Sequence, residues 1–195
     1  SDEVITQAQA LLIGKYEKEY IDNGTLKKIE SFTPDGLQSI VYYKDAIETD
    51  TAIIQQLTNA APNSFTIIAK TITPTNYIVE NSANYDADGT LLIKHRSLFE
   101  STGELLCIQT LFPSGDPVVQ YTKKYYYNDG IVEGNSVLEA YYKADGTLDY
   151  IDYDPYHEYD SDRYGSSNIN ELRDRLAFTQ SKMDYYLTAD FMPLG

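Results

Sequence analysis

The 195-residue chain has no tryptophan, one cysteine and two histidines. A single cysteine leaves no pair for a disulfide within the chain. Cys107 sits in the apolar run ELLCIQT, which predicts a buried, inert thiol rather than a nucleophile. Two histidines leave little room for a Ser-His-Asp or Cys-His site, which would have to use His95 or His157. His95 lies in LLIKHRSLF, where alternation groups it with Ile93 and Ser97 as an ordinary strand histidine. G-x-S-x-G, Walker A, G-x-G-x-x-G and H-E-x-x-H motifs are all missing. No apolar run approaches the ~20 residues that a membrane-spanning helix needs. No signal peptide stands in the sequence, and the reading is a cytoplasmic address.

Basic residues are also scarce, 15 against 30 acidic ones, for a net charge of −15. Affinity for phosphate backbones comes mainly from Lys and Arg, so nucleic acid and anionic membranes are poor partners. A basic protein or a cation fits better, and the same charge also serves solubility.

Tyrosine is abundant, with 19 copies against 6 of phenylalanine. Tyr and Thr suit pleated, half-buried surfaces, so the composition favours β structure. A chain of this length buries roughly 70% of its unfolded surface and needs no staple of disulfide or metal. The expected fold is mainly β (α+β), a single domain over 1–195 built as an antiparallel twisted meander of hairpin repeats at 20–154. Glycine-containing turns at Gly89, Gly103, Gly115, Gly130 and Gly146 recur about one strand and one turn apart. Helical periodicity predicts a short N-terminal helix over 1–13, with Ser1 or Asp2 as cap, and an inserted helix near 50–60. An acidic linker is expected at 149–167. A C-terminal helix is expected at 168–189, whose stripe Ile169, Leu172, Leu176, Met183 and Leu187 has Thr179 filling a gap.

One heptapeptide is written three times with small changes: YIDNGTL at 20–26, YDADGTL at 85–91 and YKADGTL at 142–148. A three-residue hairpin turn explains it. Ala87 and Asp88 form a type I turn, Gly89 takes the left-handed conformation, and Tyr85 then faces Leu91. The rule is an aromatic four residues before glycine and an aliphatic two after it. Tyr20/Leu26, Tyr85/Leu91, Phe99/Leu105, Tyr126/Val132 and Tyr142/Leu148 obey it, whereas Phe32 faces Gln38 and fails. Each such cross-strand pair contributes about 0.2–1 kcal/mol.

YYYNDGIV at 125–132 and YYKADGTL at 141–148 resemble the bacterial MORN-variant repeat, whose core is two aromatics, two spacers, Gly, one residue and Leu. YDADGTL also resembles the YD-type repeats of large secreted β-shell proteins. The resemblance implies hairpin arrays and, for some members of the first family, antitoxin or immunity roles. It implies no catalytic residues. The tryptophan usual in the MORN-variant unit is missing here.

Two segments are candidate sites. In QYTKKYYYND, Tyr121, Lys123, Tyr125 and Tyr127 share one strand face, with Lys124 and Tyr126 on the other. Tyr121, Tyr125 and Tyr127 form the candidate binding surface, because tyrosine combines a large apolar body with a polar tip. DSDRYGSSNINE at 160–171 matches a calcium loop at Asp160, Asp162, Gly165 and Glu171, with Tyr164 in place of one ligand. Asn168 and Glu171 equally spell a helix cap.

Three functions follow: a non-catalytic β-repeat interaction module, an acidic immunity or antitoxin-like protein neutralising a basic toxin, and a hydrolase using the acidic loop around His157. No cofactor is implied beyond the candidate calcium.

Overall fold

A computed structural model describes residues 7–60, 63–127, 136–155 and 161–193. The chain is mainly β. Its strands are β1 (Tyr16–Asp22), β2 (Thr25–Thr33), β3 (Gly36–Lys44), β4 (Ser64–Ile72), β5 (Ile78–Asp86), β6 (Leu91–Phe99), β7 (Leu105–Leu111), β8 (Lys123–Tyr127), β9 (Ser136–Tyr142), β10 (Leu148–Tyr153) and β11 (Asp162–Tyr164). The helices are α1 (Gln7–Ile13), α2 (Asp50–Leu57), α3 (Ile169–Arg175) and α4 (Gln180–Leu187). Hydrogen-bonded strand order follows chain order from β1 to β11, as a meander requires. Among the described residues no helix is long and apolar enough to cross a membrane. The chain divides into two compact units, Ser1–Lys70 with Asn81–Lys94, and Thr71–Glu80 with His95–Gly195.

In the first unit, α2 covers β3, β4 and β5. Thr49 caps it by accepting the Ala52 N–H at 3.4 Å, and Ile53 and Leu57, one turn apart, enter the core. They meet Ile40, Phe65, Ile67 and Tyr85, with the Phe65 and Tyr85 rings stacked at 5.1 Å. One expectation changes here, because β3 and β4 pair in parallel, Ile40 opposite Phe65. A helical connection supplies the crossover that a parallel pair needs and a tight turn cannot.

The heptapeptide turns are three-residue closures at 85–91 and 142–148. Asp86 N–H donates to Thr90 O at 3.0 Å and Gly89 N–H to Asp86 O at 3.2 Å, with Gly89 at φ +88°. The Lys143–Thr147 closure has the same two bonds, and Tyr142 stands opposite Leu148. The Glu100–Glu104 and Phe112–Asp116 closures repeat them, so Phe99 comes to face Leu105. In both DGT turns the aspartate side chain accepts from the threonine N–H and hydroxyl two residues on. That bond holds the aspartate in the type I turn.

Two pairs depart from the rule. At YIDNGTL, Asn23 and Gly24 both take positive φ, 48° and 79°, and Asp22 pairs with Thr25. This is a two-residue turn, so Leu26 faces Ile21 and not Tyr20. Asparagine tolerates the left-handed region and so permits this tighter closure. Phe32 pairs with Leu37, not Gln38, because a bulge shifts the register after Ser31. Val132, expected opposite Tyr126, lies outside the described residues, as do Ser1 and Asp2.

In the second unit, α3 and α4 pack on β9, β10 and β11. Ile169, Leu172, Phe178, Met183, Tyr185 and Tyr186 close over Leu138, Ala140, Tyr142, Ile151 and Tyr153. Tyr186 Oη donates to Tyr125 O, and Tyr142 Oη to Tyr186 O, each at 3.1 Å. The C-terminal helix expected at 168–189 is two helices. Phe178 N–H donates to Arg173 O and Ala177 N–H to Asp174 O around Ala177 at φ +50°, a Schellman ending. Thr179 then caps α4 by accepting the Lys182 N–H. The acidic stretch at 149–167 carries strand structure in β10 and β11, where Asp152 alternates with buried Ile151 and Tyr153. Alternating acids on the solvent side give a half-buried strand the composition of a linker.

Candidate functional site

The strand ladders of the second unit fix which side chains share a face. Cys107 pairs with Lys124 and Lys124 with Ala140, all fully buried on the inner side. The neighbouring set, Ile108, Lys123 and Tyr141, therefore faces outward. A cleft of about 440 Å³ opens over this outer face. Its floor is Ile108 and Thr110 from β7, Lys123 and Tyr125 from β8, and Tyr141 from β9, with His95 from β6. A 3₁₀ turn, Val119–Tyr121, supplies Gln120 and Tyr121.

Two of the three sequence-predicted binding residues meet here. Tyr121 is 60% exposed, although it belongs to the 3₁₀ turn and not to the strand on which alternation placed it. Tyr125 is half-buried within the cleft. Tyr127 lies two residues further along β8, half-buried, and does not line the cleft.

Electrostatically the cleft is close to neutral. Burial, then the Glu139 carboxylate, pushes the Tyr125 phenol up to about 12. Burial and a 2.7 Å hydrogen bond to Glu139 raise Tyr141 as well. Burial lowers the His95 imidazolium, so its ring is neutral near pH 7; its Nδ1 lies 3.5 Å from Thr110 Oγ1. Lys123 is the one cation lining the cleft among the described residues, and Glu139 lies 3.5 Å from its Nζ. In a chain of charge −15, no described lining residue is a carboxylate.

The acidic segment is arranged differently. Asp162 lies on β11 and accepts from Arg175 Nη1 at 2.6 Å; the same Nη1 reaches Tyr164 Oη at 3.0 Å. Glu171 is exposed in the first turn of α3. Asp160, the third candidate calcium ligand, lies outside the described residues, as does His157. A calcium ion at Asp162 would have to displace a guanidinium. Among the described residues no three His, Cys, Asp or Glu side chains are gathered to hold a metal. The alternative reading as a cap changes too, because Asn168 Oδ1 accepts from the Gly165 N–H behind it and makes no cap bond to α3. Asp152, on β10, accepts from Arg163 Nε at 2.9 Å and Nη2 at 3.3 Å.

Reading one strand at a time misses the arrival of His95 and Tyr141 at the cleft, and misses Lys124. Lys124 is fully buried, and its Nζ donates to the carbonyls of Tyr185 and Thr188 at the end of α4. It sits 3.6 Å from the centroid of the Tyr185 ring. Burial pushes its ammonium down to about 7, against weaker upward pulls from Cys107 and Asp190. Once the β7–β8–β9 register is known, the inward position of Lys124 follows from alternation alone.

Comparison with known proteins finds no matching family model, no matching curated protein and no matching solved structure.

Proposed function

We propose that the protein is a non-catalytic interaction module that takes a protein partner on the outer tyrosine face of β8 and β9. The observation that carries this reading is the cleft in which Tyr121, Tyr125 and Tyr141 converge around Lys123. Half-exposed tyrosines on a rigid sheet supply contact area at low entropic cost, and such residues are enriched at interfaces. Catalysis has less support, since among the described lining residues no carboxylate orients His95 as a base.

The test is affinity capture from the native host, comparing the wild type with the double variant Tyr121→Ser, Tyr125→Ser. The partner held by the wild type should be lost by this variant and kept by Ile72→Ser, which alters a side chain 71% exposed elsewhere. Undiminished capture by the double variant removes the reading.

The charge of −15 favours a second reading, that of an acidic immunity or antitoxin-like protein. This is also what the MORN-variant resemblance implies. A basic toxin would bind with steep salt dependence and little sensitivity to Tyr121, which separates the two.

A further inference from the structure

We propose that the segment Thr188–Met192, which follows α4, is a strap over the inner face of β6–β8 that Lys124 makes pH-sensitive: it is held shut in mildly alkaline solution and opens as the solution becomes neutral.

The strap is held by few bonds. The Ala189 N–H donates to Gly146 O at 2.9 Å, and Thr188 pairs with Thr147 as an isolated bridge. Two more bonds rise from the sheet. Lys124 Nζ and Gln109 Nε2 donate to Thr188 O and Ala189 O, each at 2.8 Å. Further along, Arg96 Cζ lies 4.0 Å from the centroid of the Phe191 ring, and Phe191 and Met192 pack on Leu98, Leu106 and Cys107. Thr188 and Asp190 are exposed, and Ala189, Phe191 and Met192 are only half-buried. Beneath them Gln109, Thr122 and Lys124 are buried, and the buried Arg96 Nε has no partner. A half-exposed strap over a dry polar floor opens at lower cost than the strands beneath it separate.

The floor holds an amine with no counter-ion. Around Lys124 Nζ, β7 contributes the Cys107 thiol and β9 the Tyr142 ring at 5.6 Å. The Tyr185 ring at 3.6 Å and the Tyr185 carbonyl come from α4. The strap adds the Thr188 carbonyl and the Asp190 carboxylate. Arg96, from β6, is a second cation under the strap. Burial raises the thiol and both phenols, so all three are neutral near pH 7. Asp190 Oδ2 accepts from Thr188 Oγ1 at 2.7 Å and is not bonded to the amine. Carbonyls and a ring face favour an ammonium, but none of them cancels its charge. Loss of water is the larger effect and holds the amine down to about 7, against 10.5 in the open. Lifting the strap returns water to the amine and restores its ordinary affinity for a proton.

The closed strap therefore favours the neutral amine, and the open strap the ammonium. As pH falls from about 9 to about 7, opening is favoured up to about tenfold per unit; below that both forms are protonated and the effect levels off. Opening uncovers Leu98, Leu106, Gln109 and Lys124.

Hydrogen–deuterium exchange of the full chain tests this, with each rate corrected for the intrinsic rate at that pH. Protection of the Ala189 amide should fall about tenfold between pH 8.5 and 7 and level off below about pH 6.5. Amides of β9 and β10 should stay far better protected throughout. Lys124→Met removes the titrating group, so its Ala189 protection should not change with pH. Phe191→Ser takes the ring off Arg96; it should lower Ala189 protection at every pH and keep the tenfold change. If Lys124→Met does not fold, the Phe191→Ser profile decides in its place. Ala189 protection in the wild type that is independent of pH, or equal to that of β9 and β10, overturns the inference. A pH dependence that survives Lys124→Met, or is lost in Phe191→Ser, overturns it as well.

Discussion

Lys124 Nζ donates to the carbonyl oxygen of Thr188 at 2.8 Å, joining the start of β8 to the end of α4 across 64 residues of sequence. A second bond to Tyr185 O fixes the same amine. Two carbonyls match the two N–H groups of a neutral amine, and the Tyr142, Tyr185 and Cys107 side chains around it are neutral at pH 7. Below about pH 7 the lysine is protonated in both the folded and unfolded states, and the full cost of burying the charge is felt. Between about 7 and its ordinary 10.5 the unfolded chain holds a proton that the native state lacks. Stability should therefore rise with pH from about 7 to about 9, by up to ~1.4 kcal/mol per unit, and level off above that, because the Cys107 thiol keeps its proton up to about 11 in the fold but loses it near 9.0 when unfolded. Above about 10 the trend should reverse, because burial holds Tyr142, Tyr185 and Tyr186 protonated while unfolded tyrosines ionise. Urea midpoints measured from pH 6 to 10 check this, and Lys124→Met should flatten the rise.

Glycine substitutions should separate two turns of the same type. Gly103 has φ +96° and open space where a Cβ would stand, so Gly103→Ala should cost about 1–2 kcal/mol, the conformational penalty alone. At Gly89 the added Cβ would come within 2.9 Å of Thr58 Oγ1 and 3.1 Å of Ile54 Cγ2, under the end of α2. Gly89→Ala should therefore cost more, about 2–4 kcal/mol once overpacking is added. Equal losses on denaturant unfolding would mean that α2 does not press on the turn.

Ala177 occupies the left-handed position that ends α3, at φ +50°. Glycine has no side-chain penalty there. Ala177→Gly should raise stability by roughly 0.5–1 kcal/mol, seen as an increase of about 1–4 °C in Tm for a chain this size.

Cys107 is fully buried, and burial pushes its thiol up to about 11. A thiol reagent at pH 8 should leave the native protein unmodified and react at the rate of unfolding. Prompt labelling of the native state would show that the inner face opens locally.

How much of this was legible beforehand varies with the kind of signal. The β-rich meander and the turns at Gly89 and Gly146 follow from residues adjacent in sequence, where a glycine, an aspartate and a threonine together specify one closure. YIDNGTL differs from the other two at its second, third and fourth letters, and the asparagine before glycine admits a tighter turn that puts Leu26 opposite Ile21 and not Tyr20. No local pattern states the break between α3 and α4, because alanine, not glycine, stands at the helix end and Thr179, a cap, sits at stripe spacing. The cleft was half legible. Alternation along β8 exposed Tyr125, but His95 and Tyr141 come from strands whose register no local pattern states. Alternation alone extends the strand to Tyr121, since nothing nearby in sequence announces the 3₁₀ turn that carries it.

A ladder laid down in chain order has a consequence for descent. Gaining or losing a hairpin requires no rethreading of the rest, only a turn that closes and a ring with an aliphatic partner to cover. Duplication of one such module could lengthen the array in a single genetic event.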